Sequence, residues 1–111
     1  MSKFDEKLAL YESEFKSLGI KYDALLLKAV TKGLGPSIYK SDAEKVSGSD
    51  TKELETVKKN FLIKKLGLTD SPKLDTAIEK VIETLEKSNR NKYRALFYYL
   101  LVKELGQESK Y

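Results

Sequence analysis

The residues best suited to chemistry lie in the segment KSNRNKYR, residues 87–94. It contains both arginines of the chain, Arg90 and Arg94, together with Asn89 and Lys92. Arginines four residues apart on a helix share one face, where they can clamp a phosphate or a carboxylate. Positive charge in the first turn of a helix opposes the helix dipole, and such local conflicts often mark functional sites. We call Asn89, Arg90, Lys92 and Arg94 the basic corner, and we predict that an anion- or partner-binding site, if the surface carries one, lies there.

A structural role for the two arginines is the alternative, and we favour it. Arginine side chains often tie neighbouring helices together through carboxylates, because the planar guanidinium group matches a carboxylate in geometry. The acids that could serve are Glu79, Glu83 and Glu86 on the fourth predicted helix and Glu12 and Glu14 on the first. In this interpretation the arginines stabilise the fold and bind no ligand.

A second segment, KGLGPSIYKSD at residues 32–42, has the glycines and lysines of a phosphate-binding loop. Such loops follow a strand and end in glycine, lysine and a hydroxyl residue, and neither feature is found here. Gly33 instead fits the left-handed position that ends a helix, and Pro36 fits the first position of a new one. We therefore predict a joint between two helices, with a positive φ at Gly33.

Other reactive side chains give no pattern that indicates catalysis. The chain has no cysteine, histidine or tryptophan, which excludes disulfides, thiolate nucleophiles and the commonest metal ligand. The lysines 58, 59, 64 and 65 do not form a single stripe, and we interpret them as a solvated face. The tyrosines 93, 98 and 99 are expected to be core residues, each with a partner for its hydroxyl. We predict no metal and no cofactor.

The elements that position these residues are helices. Apolar residues recur every three or four positions, and no segment alternates long enough to form a strand. The predicted helices span residues 3–18, 22–32, 51–66, 72–87 and 90–105, with a short helical turn at residues 36–40, and Asp50 with Glu53 forms a capping box for the third. The last helix is apolar almost all round, which predicts that it is central, with Leu96, Phe97, Leu100 and Leu101 deeply buried. The fold class is all-α, a single compact bundle of five main helices plus one short turn.

Length and composition place this bundle in a single domain. The chain has 111 residues and a net charge of +4, and we expect one helical domain over residues 1–106 with a frayed tail at residues 107–111. The longest apolar run, residues 95–102, is far too short to span a bilayer, and the first residues do not resemble a signal peptide. We therefore expect a soluble, cytoplasmic protein with no membrane contact.

Three segments resemble a known family: KGLGPSIY, LETVKKNFLIKKLGL and NRNKYRALFYYLLVKE. They are similar to a family of small, uncharacterised, all-helical bacterial proteins, domain of unknown function 2853. The resemblance covers nearly the whole chain. It implies a single domain, a bacterial origin and a cytoplasmic setting, and it implies no catalytic residue, cofactor or ligand.

Three functions follow from these observations, in order of preference. The first is a small non-enzymatic protein that acts through protein–protein interaction or self-association. The second is binding of nucleic acid or another polyanion through the basic corner, although the last helix is too apolar to lie in a DNA groove. The third is an enzyme that uses carboxylate or tyrosine chemistry, for which no spacing singles out a residue.

Overall fold

The computed structural model describes residues 3–40, 51–86 and 93–110. Within these ranges the chain forms helices and contains no strand, which confirms the predicted all-α bundle of five main helices plus one short turn. The elements are α1 (Lys3–Leu18), α2 (Ala24–Gly33), a 3-10 turn (Gly35–Tyr39), α3 (Thr51–Val57, continued as a π-helix over Lys58–Lys65), α4 (Pro72–Glu86), α5 (Arg94–Glu104) and a second 3-10 turn (Glu108–Lys110). The predicted cap at Asp50 lies outside the described residues.

The C-terminal helix α5 is the centre of the bundle, as predicted. It packs against α1, α2 and α4. Leu96, Phe97 and Leu101 are buried as expected, but Leu100 is only partly buried. Leu100 precedes the exposed Lys103 and Glu104 by one turn, on the side where α5 meets solvent.

The joint after α2 differs from the prediction by two residues. Gly33 belongs to the helix, and the positive φ, +61°, is at Gly35. The backbone N–H of Leu34 donates to the carbonyls of Thr31 and Lys32, so the helical turn continues past Gly33. The 3-10 turn begins at Gly35, where a residue without Cβ adopts the left-handed conformation at little cost. The predicted joint between two helical segments is confirmed, but the prediction that Gly33 has the positive φ is wrong.

The second half of α3 is a π-helix, which the sequence pattern does not indicate. At its end the backbone N–H of Leu66 donates over 2.9 Å to the carbonyl of Phe61, five residues earlier, which is the hydrogen bond of a π-helix. Phe61 and Leu62 are buried on its inner side. The segment carries the lysines expected to be solvated, and Lys58 departs from that expectation: its ammonium lies 2.9 Å from a carboxylate oxygen of Asp70 and 3.2 Å from one of Asp75.

The tyrosines of α5 and their neighbours form the aromatic part of the core. Tyr93, Tyr98 and Tyr99 are buried, as predicted. Tyr99 meets the ring of Phe15 edge to face with 5.0 Å between centroids, and Tyr98 stacks on Phe61 at 4.0 Å. Beyond α5, in the segment expected to fray, residues Glu108–Lys110 form the second 3-10 turn.

Candidate functional site

Of the basic corner, the structure describes Arg94. Asn89, Arg90 and Lys92 lie outside the described residues. Arg94 is the first residue of α5, and its side chain is turned from the helix start towards α3. One guanidinium nitrogen, Nη2, lies 2.6 Å from Oε1 of Glu53, and the other, Nη1, donates to the hydroxyl oxygen of Tyr98 over 2.9 Å.

The surroundings of Arg94 are those of a helix tie. Its side chain is 15% exposed and that of Glu53 is 27% exposed, so the pair is largely removed from water. Burial lowers the pKa of Arg94, but Tyr98 and the Glu53 carboxylate outweigh that effect and hold the pKa above its ordinary value. The guanidinium group also lies 5.6 Å from the centre of the Tyr98 ring, within cation–π range. The pairing joins α3 to α5.

The carboxylate in this tie is one that the sequence analysis had given another role. Glu53 was expected to complete a capping box at the start of α3, and the acids proposed for the arginines were on the first and fourth helices. Glu53 lies 41 residues from Arg94 in the chain, and no periodicity relates residues that far apart. For this arginine the structure supports the structural alternative; the basic corner as a binding site remains a prediction.

A second tie fixes the start of α2. The backbone N–H of Asp23 donates to the hydroxyl oxygen of Tyr99 over 2.7 Å, which connects residues 76 positions apart. The Asp23 carboxylate in turn accepts from the backbone N–H groups of Leu25 and Leu26, so Asp23 is the N-cap of α2. The Tyr99 hydroxyl and the Asp23 carboxylate together fix the backbone at the start of α2, and with it the position of Leu25.

Leu25 is an exposed leucine in the apolar run ALLL at residues 24–27. Its side chain is 80% exposed. The buried residues of α2 are Leu26, Leu27, Val30 and Thr31. At about 100° of rotation per residue, Leu25 lies roughly 170° from the centre of that buried face, so a helical-wheel projection identifies it. The composition of the run ALLL does not show that Leu25 is exposed, because all four side chains are apolar and suited to a core.

The surface around Leu25 combines apolar and basic side chains. We call Leu25, Lys28, Ala29 and Lys32 the outer face of α2. Leu25, Lys28 and Lys32 are exposed, and Ala29 is partly buried. A cleft lies on each side of this face, the first of about 200 Å³ and the second of about 280 Å³. The first is lined by Asp23, Leu25, Leu26, Ala29 and Glu108, and the second by Phe4, Asp5, Lys28 and Lys32.

Two further clefts lie against α4. The larger, about 340 Å³, is lined by residues of α4 and the end of α5, among them Lys73 and Glu104. The other, about 240 Å³, lies between α3 and α4 beside Lys58 and Asp75. Its lysine is committed to two aspartates, which raise the pKa of Lys58 above its ordinary value. In the larger cleft the Thr76 hydroxyl donates to the backbone carbonyl of Pro72.

Two findings on metal-binding groups and membrane spans concern the described part of the chain. No cluster of three or more acidic, histidine or cysteine residues there could hold a metal ion. No helix there is long and apolar enough to cross a membrane.

Comparison with known proteins identifies a family whose description names no activity. The model of a family described as "Protein of unknown function (DUF2853)" matches residues 10–109, which is most of the chain. No curated protein matches the chain.

Proposed function

We infer the function from the surface of the molecule, because the chain belongs to the DUF2853 family, whose description assigns no activity. We propose that it is a non-enzymatic cytoplasmic protein that acts by binding another protein or a second copy of itself. Residues 1–106 are one domain in this proposal. The contact surface is the outer face of α2, and Leu25 is its anchor.

The observation that carries the proposal is the exposure of Leu25 on a backbone whose start is fixed by hydrogen bonds. A single exposed leucine is ordinary on a protein surface. Leu25 differs because the cap at Asp23 and the hydroxyl of Tyr99 hold the backbone beneath it, so a partner would not have to order that segment on binding. Covering a leucine of this exposure contributes about 1.5–3 kcal/mol.

The two alternatives receive less support from the same structure. Arg94, the described residue of the basic corner, already binds Glu53 and Tyr98, so a polyanion would have to displace that carboxylate. The hydroxyls of Tyr98 and Tyr99 are likewise engaged in contacts that hold the fold together. An enzyme would need reactive groups that converge on a cleft. The four clefts described above are lined by lysines, carboxylates and apolar side chains, and the tyrosines of α5 line none of them.

The test is site-specific photo-crosslinking in the cells from which the protein comes. A photoreactive amino acid replaces Leu25 in one variant and the exposed Ser13 of α1 in a matched control. We expect a discrete protein adduct from position 25 that position 13 does not give, and an adduct of twice the chain mass identifies self-association. The purified partner should then bind Leu25→Glu at least about tenfold more weakly than wild type, with Ser13→Glu unchanged.

Two results would refute the proposal. The first is a yield of adducts from position 25 no greater than from position 13. The second is a nuclease-sensitive adduct, which would favour the polyanion alternative instead. Leu25→Glu places a carboxylate in the first turn of α2, where the helix dipole favours negative charge, so loss of binding cannot be attributed to unfolding. The midpoint of thermal unfolding of each variant checks this point.

A further inference from the structure

The outer face of α2 has two chemically distinct sides. Leu25 and Ala29 border the cleft shared with Glu108 of the C-terminal turn. Lys28 and Lys32 border the cleft shared with Phe4 and Asp5 of α1. The apolar side and the basic side run parallel along the helix, which is the arrangement that an amphipathic segment would complement.

The spacing of these residues suits a helix as the occupant. Lys28 and Lys32 are four residues apart and stand about 6 Å from each other along the axis of α2. The whole face, from residue 25 to residue 32, covers about 10 Å, or two helical turns. Lys28 and Lys32 are both exposed, and in the part of the chain that the structure describes neither side chain has a hydrogen-bond or ion-pair partner.

We propose that the outer face of α2 binds an acidic amphipathic helix of a partner protein. The apolar edge of that helix covers Leu25 and Ala29, and its carboxylates, four residues apart, meet Lys28 and Lys32. The inference rests on the proposed function and adds the chemistry of the partner. Helix-in-groove recognition of this kind uses apolar anchors spaced by three or four residues, with charged flanks that set orientation.

Leu25 argues against nucleic acid, and its isolation argues against a membrane. A phosphate backbone has no apolar edge that could cover the exposed Leu25 beside the two lysines. Helices that lie in a membrane interface insert a broad apolar face. Here the outer face offers one large apolar side chain, that of Leu25.

A second copy of the chain is the less suitable occupant. The exposed acids Glu79 and Glu83 of α4 are four residues apart and would match Lys28 and Lys32 of another molecule. That contact joins two different surfaces, so it is head-to-tail, and such contacts produce open chains unless the rotation closes a ring. We therefore commit to a different protein.

The experiment uses the full chain and three synthetic helical peptides. The first has a leucine edge flanked by glutamates, the second has the same edge flanked by lysines, and the third keeps the glutamates and replaces the leucines by serine. Binding is measured by fluorescence anisotropy at two salt concentrations, and the contact surface by amide chemical shifts. We expect the first peptide to bind with a Kd below about 1 mM and to shift α2 resonances. The other two should bind at least about tenfold more weakly.

Two double variants with equal net charge locate the contact. Lys28→Glu/Lys32→Glu reverses the outer face, and Lys59→Glu/Lys64→Glu reverses two exposed lysines of α3. The first variant should lose about tenfold in affinity for the acidic peptide and gain affinity for the basic one, because opposed charges become like charges. The second should change the affinity for either peptide less than about threefold.

Three outcomes with the purified protein would overturn the inference. They are equal affinity for the acidic and basic peptides, equal losses in the two double variants, and tighter binding of a short DNA duplex or an anionic phosphatidylglycerol vesicle through Lys28 and Lys32. A crosslinked partner at position 25 whose contact segment is neither helical nor acidic would also overturn it while leaving the proposed function intact. Absence of any adduct at position 25 would refute the proposed function. The peptide experiment would still show whether the outer face of α2 prefers an acidic helix.

Discussion

Replacing Arg94 by alanine tests whether the one described arginine of the basic corner is a tie or a ligand-binding residue. The change removes a 2.6 Å contact to Glu53, a 2.9 Å hydrogen bond to Tyr98 and the cation–π contact with the same ring. If these contacts tie α3 to α5, unfolding should become easier. If Arg94 serves a ligand, stability should barely change, or even rise as positive charge leaves a helix N-terminus.

The expected loss is about 2 kcal/mol. A hydrogen bond to a charged group contributes about 1.5–3 kcal/mol, and exposed ion pairs contribute less than about 1 kcal/mol. Arg94 is 15% exposed, which favours the upper range, but Glu53 at 27% can regain water when its partner is gone. For a domain of this size a loss of about 2 kcal/mol lowers the unfolding midpoint by roughly 10 °C.

The assay is thermal and urea unfolding followed by circular dichroism, in a double-mutant cycle with Glu53→Ala. We expect a coupling energy of about 1–2 kcal/mol between the two positions, because they are in direct contact. Lys80→Ala is the matched control, since the Lys80–Glu104 pair is separated by 3.2 Å but both side chains are well exposed, and we expect it to cost less than about 0.5 kcal/mol.

The refuting result is specific. If Arg94→Ala costs under about 0.5 kcal/mol and shows no coupling to Glu53→Ala, the tie does not stabilise the fold. The guanidinium group would then be available to an external anion, and the basic corner would become the leading site. A destabilisation that occurs without coupling would instead assign the loss to the aliphatic stem of the side chain.

The remaining predictions concern the joint, the core and one exposed ion pair. Gly35→Ala should cost about 1 kcal/mol or more in urea unfolding, because alanine is strained at a φ of +61°, whereas Gly33→Ala, inside α2, should be neutral or stabilising by up to about 1 kcal/mol; the reverse order would refute the assignment of the joint. Leu101→Ala should cost about 2–5 kcal/mol and Leu100→Ala clearly less, since only the first is fully buried; equal losses would contradict the described side of α5. The pKa of Lys58 is raised in the folded state by its two aspartate partners, so the stability it contributes is fully present below the unfolded pKa of about 10.4 and is lost as pH rises through the higher folded value. The difference in unfolding midpoint between wild type and Lys58→Met should therefore shrink in that alkaline range, and a difference that stays constant to the highest pH reached would refute the pairing.

The helices were predictable because their signals are local. In α4, Pro72 occupies the first helical position and apolar residues recur on one face through Leu85, as periodicity alone predicts. The central place of α5 followed from a helix that is apolar nearly all round. These features depend on neighbours within about four residues, and a single sequence contains that information.

The features that sequence reasoning missed depend on distant residues or on helix geometry. Nothing near Glu53 indicates that its carboxylate meets Arg94. The π-helix over Lys58–Lys65 changes the rotation of α3 from the ordinary 100° per residue, and the contacts of Lys58 with Asp70 and Asp75 join residues 12 and 17 positions apart. The exposure of Leu25 is different in kind, because a regular helical wheel centred on the buried residues of α2 does identify it.

The two adjacent tyrosines of α5 connect the fold to the proposed surface. Consecutive helical residues point about 100° apart, so Tyr98 and Tyr99 reach different neighbours. Tyr98 stacks on Phe61 and accepts a hydrogen bond from Arg94, which fixes α3. Tyr99 accepts the backbone N–H of Asp23, which fixes the start of α2 and with it Leu25. The central helix therefore supplies both the core and the rigidity of the outer face. A partner that binds there meets a surface already in place, and its affinity depends on contact chemistry rather than on ordering α2.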